Sequence, residues 1–270
     1  MKEYVRKLGI LGGMGPEATA SLYLNIINRC QAELGAKYNS DFPPIIINSC
    51  PVPDGRMWEG FSKTRVKKFL RTNVKILEKA GVDFVAVPCN SVHYFYPVIQ
   101  KAVSIPVLSI VEETSKEIRR KGLTRVLLLA TEFTARSGIY DGPLADCGIT
   151  LVKPDPGQQR VVQKIIVNTE SGQRLESDRA AVASIVSELK KKKGIEGVIV
   201  GCTEIPLLVG QKHLPVTLFD TIDILAASAY ALILGRSSFV RIRSASSDRH
   251  LRQAGRSTLG RGRSSLHRSL

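Results

Sequence analysis

The sequence predicts an α/β protein, and three patterns along its 270 residues indicate this fold class. Short apolar runs alternate with longer helical patterns, as in a parallel sheet covered by helices on both faces. The apolar runs are nearly continuously hydrophobic, which is typical of strands buried on both faces. The second half of the chain also repeats features of the first half in the same order. We therefore predict two pseudo-symmetric α/β domains, each built on a parallel sheet.

Strands and helices are predicted from the spacing of apolar residues and from turn-forming residues between the runs. The eight predicted strands cover residues 7–11, 44–48, 84–88, 107–110, 126–129, 150–152, 197–200 and 216–219. Helical patterns fill the intervals at residues 16–34, 63–80, 97–103, 112–121, 134–147, 157–169, 177–193 and 222–234.

The two halves match at two places. The apolar strand that begins at Lys7 corresponds to the one that begins at Arg125, an offset of 118 residues. Later in each half an apolar strand ends at a cysteine followed by small polar residues, and these cysteines, Cys89 and Cys202, are 113 residues apart. A duplicated unit places equivalent strand ends opposite each other. Because ligands of open α/β sheets bind at the carboxyl ends of strands, we predict an active site in the cleft between the halves.

The predicted domain boundaries follow from this repeat. An N-terminal α/β domain takes residues 1–111 together with a returning segment at residues 215–235, and a second α/β domain takes residues 112–214. Residues 236–270 contain nine Arg, no Lys and one acid, so we predict a basic, disordered tail. The tail carries +8 of the formal charge of +15, which leaves +7 on the rest of the chain.

Several classes of protein are excluded by simple features. The longest apolar run, residues 224–234, is far shorter than the ~18 residues of a spanning helix. The chain enters a strand pattern within its first ten residues, which leaves no room for a signal peptide, so we expect a cytoplasmic protein. Five widely spaced cysteines without a C-x-x-C pair indicate free thiols. The four histidines form no ligand cluster by spacing, so no metal site is predicted.

Cys89 and Cys202 are the strongest candidates for chemistry. Each follows an apolar strand and precedes a predicted helix start, where backbone N–H groups and the helix dipole favour a thiolate. We therefore expect a lowered pKa for both thiols. Asn90, Ser91 and Thr203 add short hydrogen-bonding side chains suited to a carboxylate. Two buried structural cysteines are the alternative interpretation.

A glycine-rich loop follows the first strand. Residues 13–18 match the G-x-G-x-x-A pattern of dinucleotide sites, but a single match is a weak signal. The acid expected at the end of the second strand is missing, since Asn48, Ser49 and Cys50 stand there. Free N–H groups at the start of the next helix favour an anion, and a substrate carboxylate would serve as well as a pyrophosphate.

Three motifs together resemble those of the aspartate/glutamate racemase superfamily, especially its aspartate racemase and broad-specificity amino-acid racemase branch. They are Gly-Gly-Met-Gly-Pro-Glu-Ala-Thr at residues 12–19, Pro-Cys-Asn-Ser at residues 88–91 with His93, and Gly-Cys-Thr-Glu at residues 201–204. The resemblance runs from about residue 8 to residue 234. It implies two α/β halves with a cleft between them, a homodimer, and catalysis without pyridoxal phosphate, another cofactor or a metal.

The resemblance also implies the reaction, which is racemisation of an amino acid, with aspartate or glutamate preferred. One cysteine, as thiolate, removes the Cα proton, and the other, as thiol, returns a proton to the opposite face. Two bases are needed because a single base that returns the proton to its original face gives no inversion. The implied catalytic residues are Cys89 and Cys202, and the implied substrate contacts are Met14, Arg56, Asn90, Ser91, Thr131, Thr203 and Glu204.

The sequence departs from aspartate-specific members in two places. Their Pro-Asp-Arg turn is interrupted here by Gly55, so Arg56 stands one position beyond the matching arginine. Their lysine near the end of a helix in the second half is absent, and Glu170 and Ser171 stand before Gly172. A broader range of amino-acid substrates therefore stays open.

Two alternative functions also stay open. The first is hydantoin racemase, because that enzyme also resembles a protein with a two-cysteine site. Related decarboxylases and cis-trans isomerases do not need both cysteines. From another class, the arginines of the tail, interspersed with Ser and Gly, resemble an arm that binds nucleic acid by neutralising phosphates. Phe239 is the tail's one aromatic residue, so base stacking would be poor.

Overall fold

The computed structural model describes residues 4–53 and 62–237. Within these ranges the strands are β1 Leu8–Gly12, β2 Ile45–Ser49, β3 Phe84–Ala86, β4 Val107–Leu108, β5 Arg125–Leu129, β6 Thr150–Val152, β7 Gly197–Val200 and β8 Thr217–Asp220. The helices are α1 Pro16–Leu34, α2 Lys63–Lys79, α3 Tyr96–Gln100, α4 Ile110–Arg120, α5 Glu132–Ser137, α6 Asp141–Ala145, α7 Pro156–Glu170, α8 Glu176–Lys193 and α9 Thr221–Ile233.

The described strands form two four-stranded parallel sheets with the same internal order. The first sheet is ordered β2-β1-β3-β4 and the second β6-β5-β7-β8. In the first sheet β1 pairs with β2 from Leu8 opposite Ile45 to Gly12 opposite Ser49. The equivalent central strand of the second sheet, β5, pairs with β7 from Val126 opposite Gly197. Helices surround both sheets, so the predicted α/β fold class is confirmed.

Each sheet has its own apolar core. Strands β1, β3 and β7 are buried at every position, which explains their continuous hydrophobic sequence. In the first half, Leu70 and Val74 of α2 belong to the same core cluster as Val85 of β3. In the second half, Ile166 of α7 and Val186 of α8 belong to the cluster that contains β5 and β7. Each core holds its sheet in place, and each sheet in turn positions the loops that follow its strands.

Local sequence signals explain the helix ends. Helix α1 begins and ends where the sequence predicts, with Pro16 at its first position and Gly35 in the left-handed conformation just after its end. The single helix predicted at residues 134–147 is wrong, because two helices, α5 and α6, occupy this region. Gly138 ends α5 by adopting a left-handed φ of 71°, which interrupts the helical hydrogen bonding.

The segment predicted to return to the first domain, residues 215–235, contacts both halves. Strand β8 pairs with β7 in the second sheet, whereas α9 packs against α1 and α4. The backbone N–H groups of Val5 and Arg6 donate to the carbonyl of Ile233, so the end of α9 is tied to the segment that leads into β1. The division into domains stays a prediction, and the predicted tail lies outside the described residues beyond Ser237.

Helix α9 is strongly apolar and short, with thirteen residues. Its buried face includes Leu225, Ala229 and Ile233, which explains why the sequence pattern is hydrophobic over most of the helix. None of the helices in residues 4–53 and 62–237 is long and apolar enough to cross a membrane.

The loop after β1 depends on Gly13. Its φ is 86°, and a Cβ built there would lie 2.4 Å from the backbone nitrogen of Cys50. That nitrogen donates to the carbonyl of Gly12 at 3.1 Å, so the two segments cannot separate without losing this hydrogen bond. Gly13 therefore allows the glycine-rich loop to lie directly against the residues that follow β2.

We predict that Gly13→Ala lowers the free energy of unfolding by about 2–4 kcal/mol, because it adds a steric clash to backbone strain. Gly148→Ala is the matched control, since Gly148 has a φ of 73° but no described atom within 4 Å of the added Cβ. We expect the control to cost about 1 kcal/mol from backbone strain alone. Urea denaturation measures both losses, and equal losses would contradict the steric argument.

Candidate active site

Loops from both halves line one cavity of about 550 Å³. The first half contributes the loops that follow β1, β2 and β3, and the second half contributes those that follow β5 and β7 together with the end of α7. All five loops leave the carboxyl ends of parallel strands, which is where ligands bind in open α/β sheets. The lining residues are Gly13, Met14, Gly15, Pro51, Val52, Cys89, Asn90, Ser91, Thr131, Glu170, Gly201, Cys202, Thr203 and Glu204.

The structure brings most of the candidate residues together. Cys89, Cys202 and six of the seven candidate substrate contacts, Met14, Asn90, Ser91, Thr131, Thr203 and Glu204, line this cavity. The seventh, Arg56, lies outside the described residues. Sequence reasoning did not place Pro51, Val52 and Glu170 in the site. Glu170 did carry a signal, because it stands where aspartate-specific relatives are expected to have a lysine.

Cys89 lies at the end of the segment that follows β3. Its side chain is buried, and the backbone N–H groups of Val92 and Ser91 favour the thiolate. Burial has the larger effect, and with the nearby Glu204 carboxylate it raises the pKa of the Cys89 thiol to about 12. These surroundings therefore hold Cys89 as a neutral thiol near pH 7.

Cys202 occupies the equivalent place after β7 and is also buried. Its thiol donates a hydrogen bond to Glu204 Oε2 at 2.8 Å, and the Thr203 hydroxyl donates to the same oxygen at 3.1 Å. Burial raises the pKa of the Cys202 thiol well above its usual value, and the charge of Glu204 raises it further. The two cysteines are therefore equivalent in the fold but differ in their polar neighbours.

The expectation of a lowered pKa for both thiols is wrong. The segments after them are short 3₁₀ turns, Ser91–Phe95 and Ile205–Leu207, rather than long α-helices. Such turns supply individual N–H groups but little aligned dipole. The loss of water around two buried sulfur atoms is the larger effect.

Asn90 joins the two halves beside the cysteines. Its side-chain N–H donates to the Thr221 hydroxyl at 3.0 Å, and its amide oxygen accepts from the Tyr140 hydroxyl at 2.5 Å. Thr221 in turn donates to the carbonyl of Val200, the last residue of β7, at 3.1 Å. Because an amide carries two N–H groups, Asn90 keeps a second donor for a ligand.

Three hydroxyl groups also meet across the cleft. Ser91 Oγ from the first half lies 2.8 Å from Thr134 Oγ1 and 3.3 Å from Thr131 Oγ1 in the second half. Thr131 also accepts a hydrogen bond from the backbone N–H of Thr134 at 3.2 Å. Ser91 and Thr131 line the cavity, and their hydroxyl groups can turn towards a carboxylate placed there.

His93 supports Cys89 without entering the lining. Its Nε2 accepts from the backbone N–H of Ile110 at 3.1 Å, so the ring proton is on Nδ1, which donates to the Cys89 carbonyl at 2.7 Å. Burial lowers the pKa of His93 to about 4, so the ring is neutral near pH 7. In the described part of the chain, no group of three or more His, Cys, Asp or Glu side chains is arranged to hold a metal ion.

Glu170 is the last residue of α7, and it lines the cavity with its side chain exposed to solvent. Desolvation, followed by repulsion from Glu204, raises the pKa of Glu170 to about 7. These two glutamates are the charged side chains among the described lining residues, and the described lining contains no Lys, Arg or His. The wall of the cavity is therefore acidic.

Comparison with known proteins identifies the family. Residues 11–229 match the family model described as Asp/Glu/hydantoin racemase. The chain belongs to this family. It is a racemase, as the three motifs predict, and the predicted family is confirmed.

The relatives include enzymes and solved structures of similar length. The chain is 33% identical over 231 residues to the broad-specificity amino-acid racemase RacX of Bacillus subtilis (strain 168), covering 86% of this chain and 100% of that protein. An aspartate racemase homologue from Pyrococcus horikoshii OT3 is 30% identical with a TM-score of 0.74, covering 85% of this chain and 99% of that one. Picrophilus torridus aspartate racemase is 25% identical with a TM-score of 0.70, covering 85% and 94%.

We predict that acid weakens the fold through His93. Its folded pKa of about 4 lies below the unfolded value near 6.5, so the unfolded chain takes up a proton first as the pH falls. The contribution of the neutral ring is complete above about pH 6.5 and is lost by about pH 4, for a total of about 3 kcal/mol.

Urea denaturation at several pH values checks this prediction. His93→Gln should flatten the dependence between pH 4 and pH 6.5, whereas His213→Gln, which changes a partly exposed ring, should keep it. An unchanged profile in His93→Gln would show that other groups cause the acid sensitivity.

Proposed function

We propose that this racemase inverts the Cα of free amino acids without a cofactor, with Cys89 and Cys202 as its two bases. The observation that carries the proposal is that both thiols line one cavity from opposite halves of a duplicated fold. They follow β3 and β7, which hold the same position in their sheets. The cavity volume of about 550 Å³ is in the usual range for small-molecule sites.

In the proposed reaction the thiolate breaks the Cα–H bond and becomes a thiol, which leaves a carbanion. The thiol on the opposite face gives its proton to Cα and becomes a thiolate, so the protein ends with the proton on the other sulfur. The two cysteines exchange the roles of base and acid when the opposite isomer reacts. Atoms and charge balance without any further reactant.

Burial of the thiols has two consequences for this step. It makes each thiolate a stronger base than an exposed cysteine, which suits the removal of a weakly acidic Cα proton. It also disfavours ionisation of either thiol unless a positive charge lies nearby. The α-ammonium group of a bound amino acid supplies a positive charge that offsets this cost.

The surroundings of the sulfur atoms favour different resting states. Two backbone N–H groups favour the thiolate at Cys89 and one favours it at Cys202, but the Glu204 carboxylate also accepts a hydrogen bond from the Cys202 thiol and disfavours its thiolate. The resting pair in the complex is therefore Cys89 thiolate and Cys202 thiol. When Cys202 must act as the base, Glu204 is placed to receive its proton.

Polar groups of the cleft would hold the α-carboxylate. The hydroxyl groups of Ser91 and Thr131 and the second N–H of Asn90 are neutral donors on the cavity wall. Donors at this position also offset the negative charge that spreads onto the carboxylate in the carbanion. Met14 provides an apolar contact, and Thr203 adds a hydroxyl beside Cys202.

Some expectations stay predictions. A homodimer and a cytoplasmic location follow from the resemblance and the sequence. A preference for aspartate or glutamate also stays a prediction, and the acidic side chains of the described lining do not favour it. Hydantoin racemisation is the competing reaction within the family.

We predict that Cys89→Ala and Cys202→Ala each lower kcat/KM for racemisation by about 10³-fold or more, because each removes one of two required bases. Cys147→Ala is the matched control and should keep wild-type activity, since Cys147 lies outside the lining. The assay follows a panel of L-amino acids in heavy water by chiral chromatography and mass spectrometry.

The expected product is the D-isomer with deuterium at Cα. A 5-substituted hydantoin in the same panel tests the competing reaction. Wild-type rates in both alanine variants would eliminate the two-thiol mechanism.

We predict that Glu204→Gln shifts ionisation of Cys202 to lower pH, because it removes the negative charge that raises the pKa of this thiol. The rate of alkylation at Cys202, measured against pH in a Cys89→Ala background, reports this shift. Glu176→Gln is the control, since Glu176 is exposed and pairs with Arg179. We also expect Glu204→Gln to lower kcat/KM by about 10–100-fold in both directions. An unchanged alkylation profile would contradict the assigned interaction.

A further inference from the structure

One carboxylate of the cavity wall has no part in the proposed proton transfers. Glu170 lines the cavity with both cysteines, but it is Glu204 that bonds to Cys202. Within residues 4–53 and 62–237, no Lys or Arg forms an ion pair with Glu170. The nearest arginines along the chain are engaged elsewhere, because Arg174 pairs with Glu17 at 3.5 Å and Arg179 pairs with Glu176.

The end of α7, where Glu170 lies, also supplies no positive charge. Glu170 ends α7, and the last turn of that helix contains no basic residue. The carboxyl end of a helix favours cations and disfavours a carboxylate. Glu204 adds a second negative charge near the same wall, and its repulsion contributes to the raised pKa of Glu170. A ligand that brings a cation to this wall would offset both effects.

The parts of a bound amino acid can be assigned to lining residues of different chemistry. Neutral donors on Ser91, Thr131 and Asn90 suit the α-carboxylate, and Cα must lie between the two sulfur atoms. Glu170 lines the same cavity from the end of α7, and as a carboxylate it cannot donate to the α-carboxylate, so it is left for the α-ammonium group or for the side chain. An acidic side chain there would meet two carboxylates, whereas an amino or guanidino group would form a charge-assisted hydrogen bond.

We propose that Glu170 binds the side-chain cation of the substrate and makes the enzyme selective for basic amino acids, such as ornithine, lysine and arginine. This inference rests on the proposed racemisation at Cys89 and Cys202. It replaces the expectation of an acidic substrate with a basic one. Glu170 acts as a specificity residue, since it takes no part in proton transfer.

The test compares kcat/KM for three L-amino acids with side chains of similar length and different charge: ornithine, methionine and glutamate. Racemisation is followed by chiral chromatography at pH 8, where Glu170 is ionised. The wild-type enzyme should prefer ornithine to glutamate by about tenfold or more. Glu170→Gln should lower kcat/KM for ornithine by about tenfold, with less than about a threefold change for methionine. Glu170→Lys should reverse the preference towards glutamate.

Two controls separate charge from structural damage. Glu176→Gln, six residues further on, removes an exposed carboxylate of the same kind and should leave all three rates unchanged. Lowering the pH from 8 to 6 protonates Glu170 and should weaken the preference of the wild-type enzyme for ornithine over methionine. That ratio should not depend on pH in Glu170→Gln.

The outcomes distinguish this inference from the proposed function. An equal loss for all three substrates in Glu170→Gln would assign Glu170 to the shared α-ammonium group and would overturn the side-chain assignment. Faster racemisation of glutamate than of ornithine by the wild type would also overturn it, while leaving the two-thiol mechanism intact. If none of the amino acids is racemised, the proposed function fails and this inference fails with it.

Discussion

The hydrogen bonds of the Asn90 amide are the interaction on which the arrangement of the cleft depends. This one buried side chain binds Thr221 at the start of α9 and Tyr140 in the second half, directly beside Cys89. Through Thr221 it is also connected to the end of β7, two residues before Cys202. The loops that carry the sulfur atoms are therefore held in register by a neutral network whose buried groups stabilise one another.

The same burial that fixes the loops also sets the chemistry of the thiols. Both sulfur atoms are largely shielded from solvent, so their ionisation is coupled to the charge of any ligand in the cavity. Two backbone N–H groups favour the thiolate at Cys89 and one favours it at Cys202, whereas the Cys202 thiol also donates to the Glu204 carboxylate, so the surroundings of the two thiols differ before substrate binds.

Much of the fold could be predicted because burial on both faces leaves a clear pattern in strands such as β1 and β7. The three motifs lie at strand ends, so their order along the chain also predicted which loops meet. The direction of the thiol pKa shifts could not be predicted correctly, because desolvation depends on tertiary packing that a strand-end position does not reveal. The break at Gly138 was missed because one left-handed residue is enough to end a helix whose apolar spacing continues.

Side-chain selectivity was the least predictable part of the site. The sequence showed that Glu170 stands in place of an expected lysine, but its approach to Glu204 requires the end of α7 to lie beside the loop after β7. A glutamate at this one position thus changes the electrostatic field of the whole cavity. The negative charge of the site is evident only once Glu170 and Glu204 are seen to line one cavity.

The neutral ring of His93 has a consequence for kinetics. With both nitrogens engaged and a pKa of about 4, the ring does not titrate in the range in which enzymes are usually assayed. Imidazole is the group to which an inflection between pH 6 and pH 7 is most often assigned. For this enzyme such an inflection would indicate a carboxyl group instead. His93 can therefore be left out when the pH dependence of the enzyme's rate is interpreted.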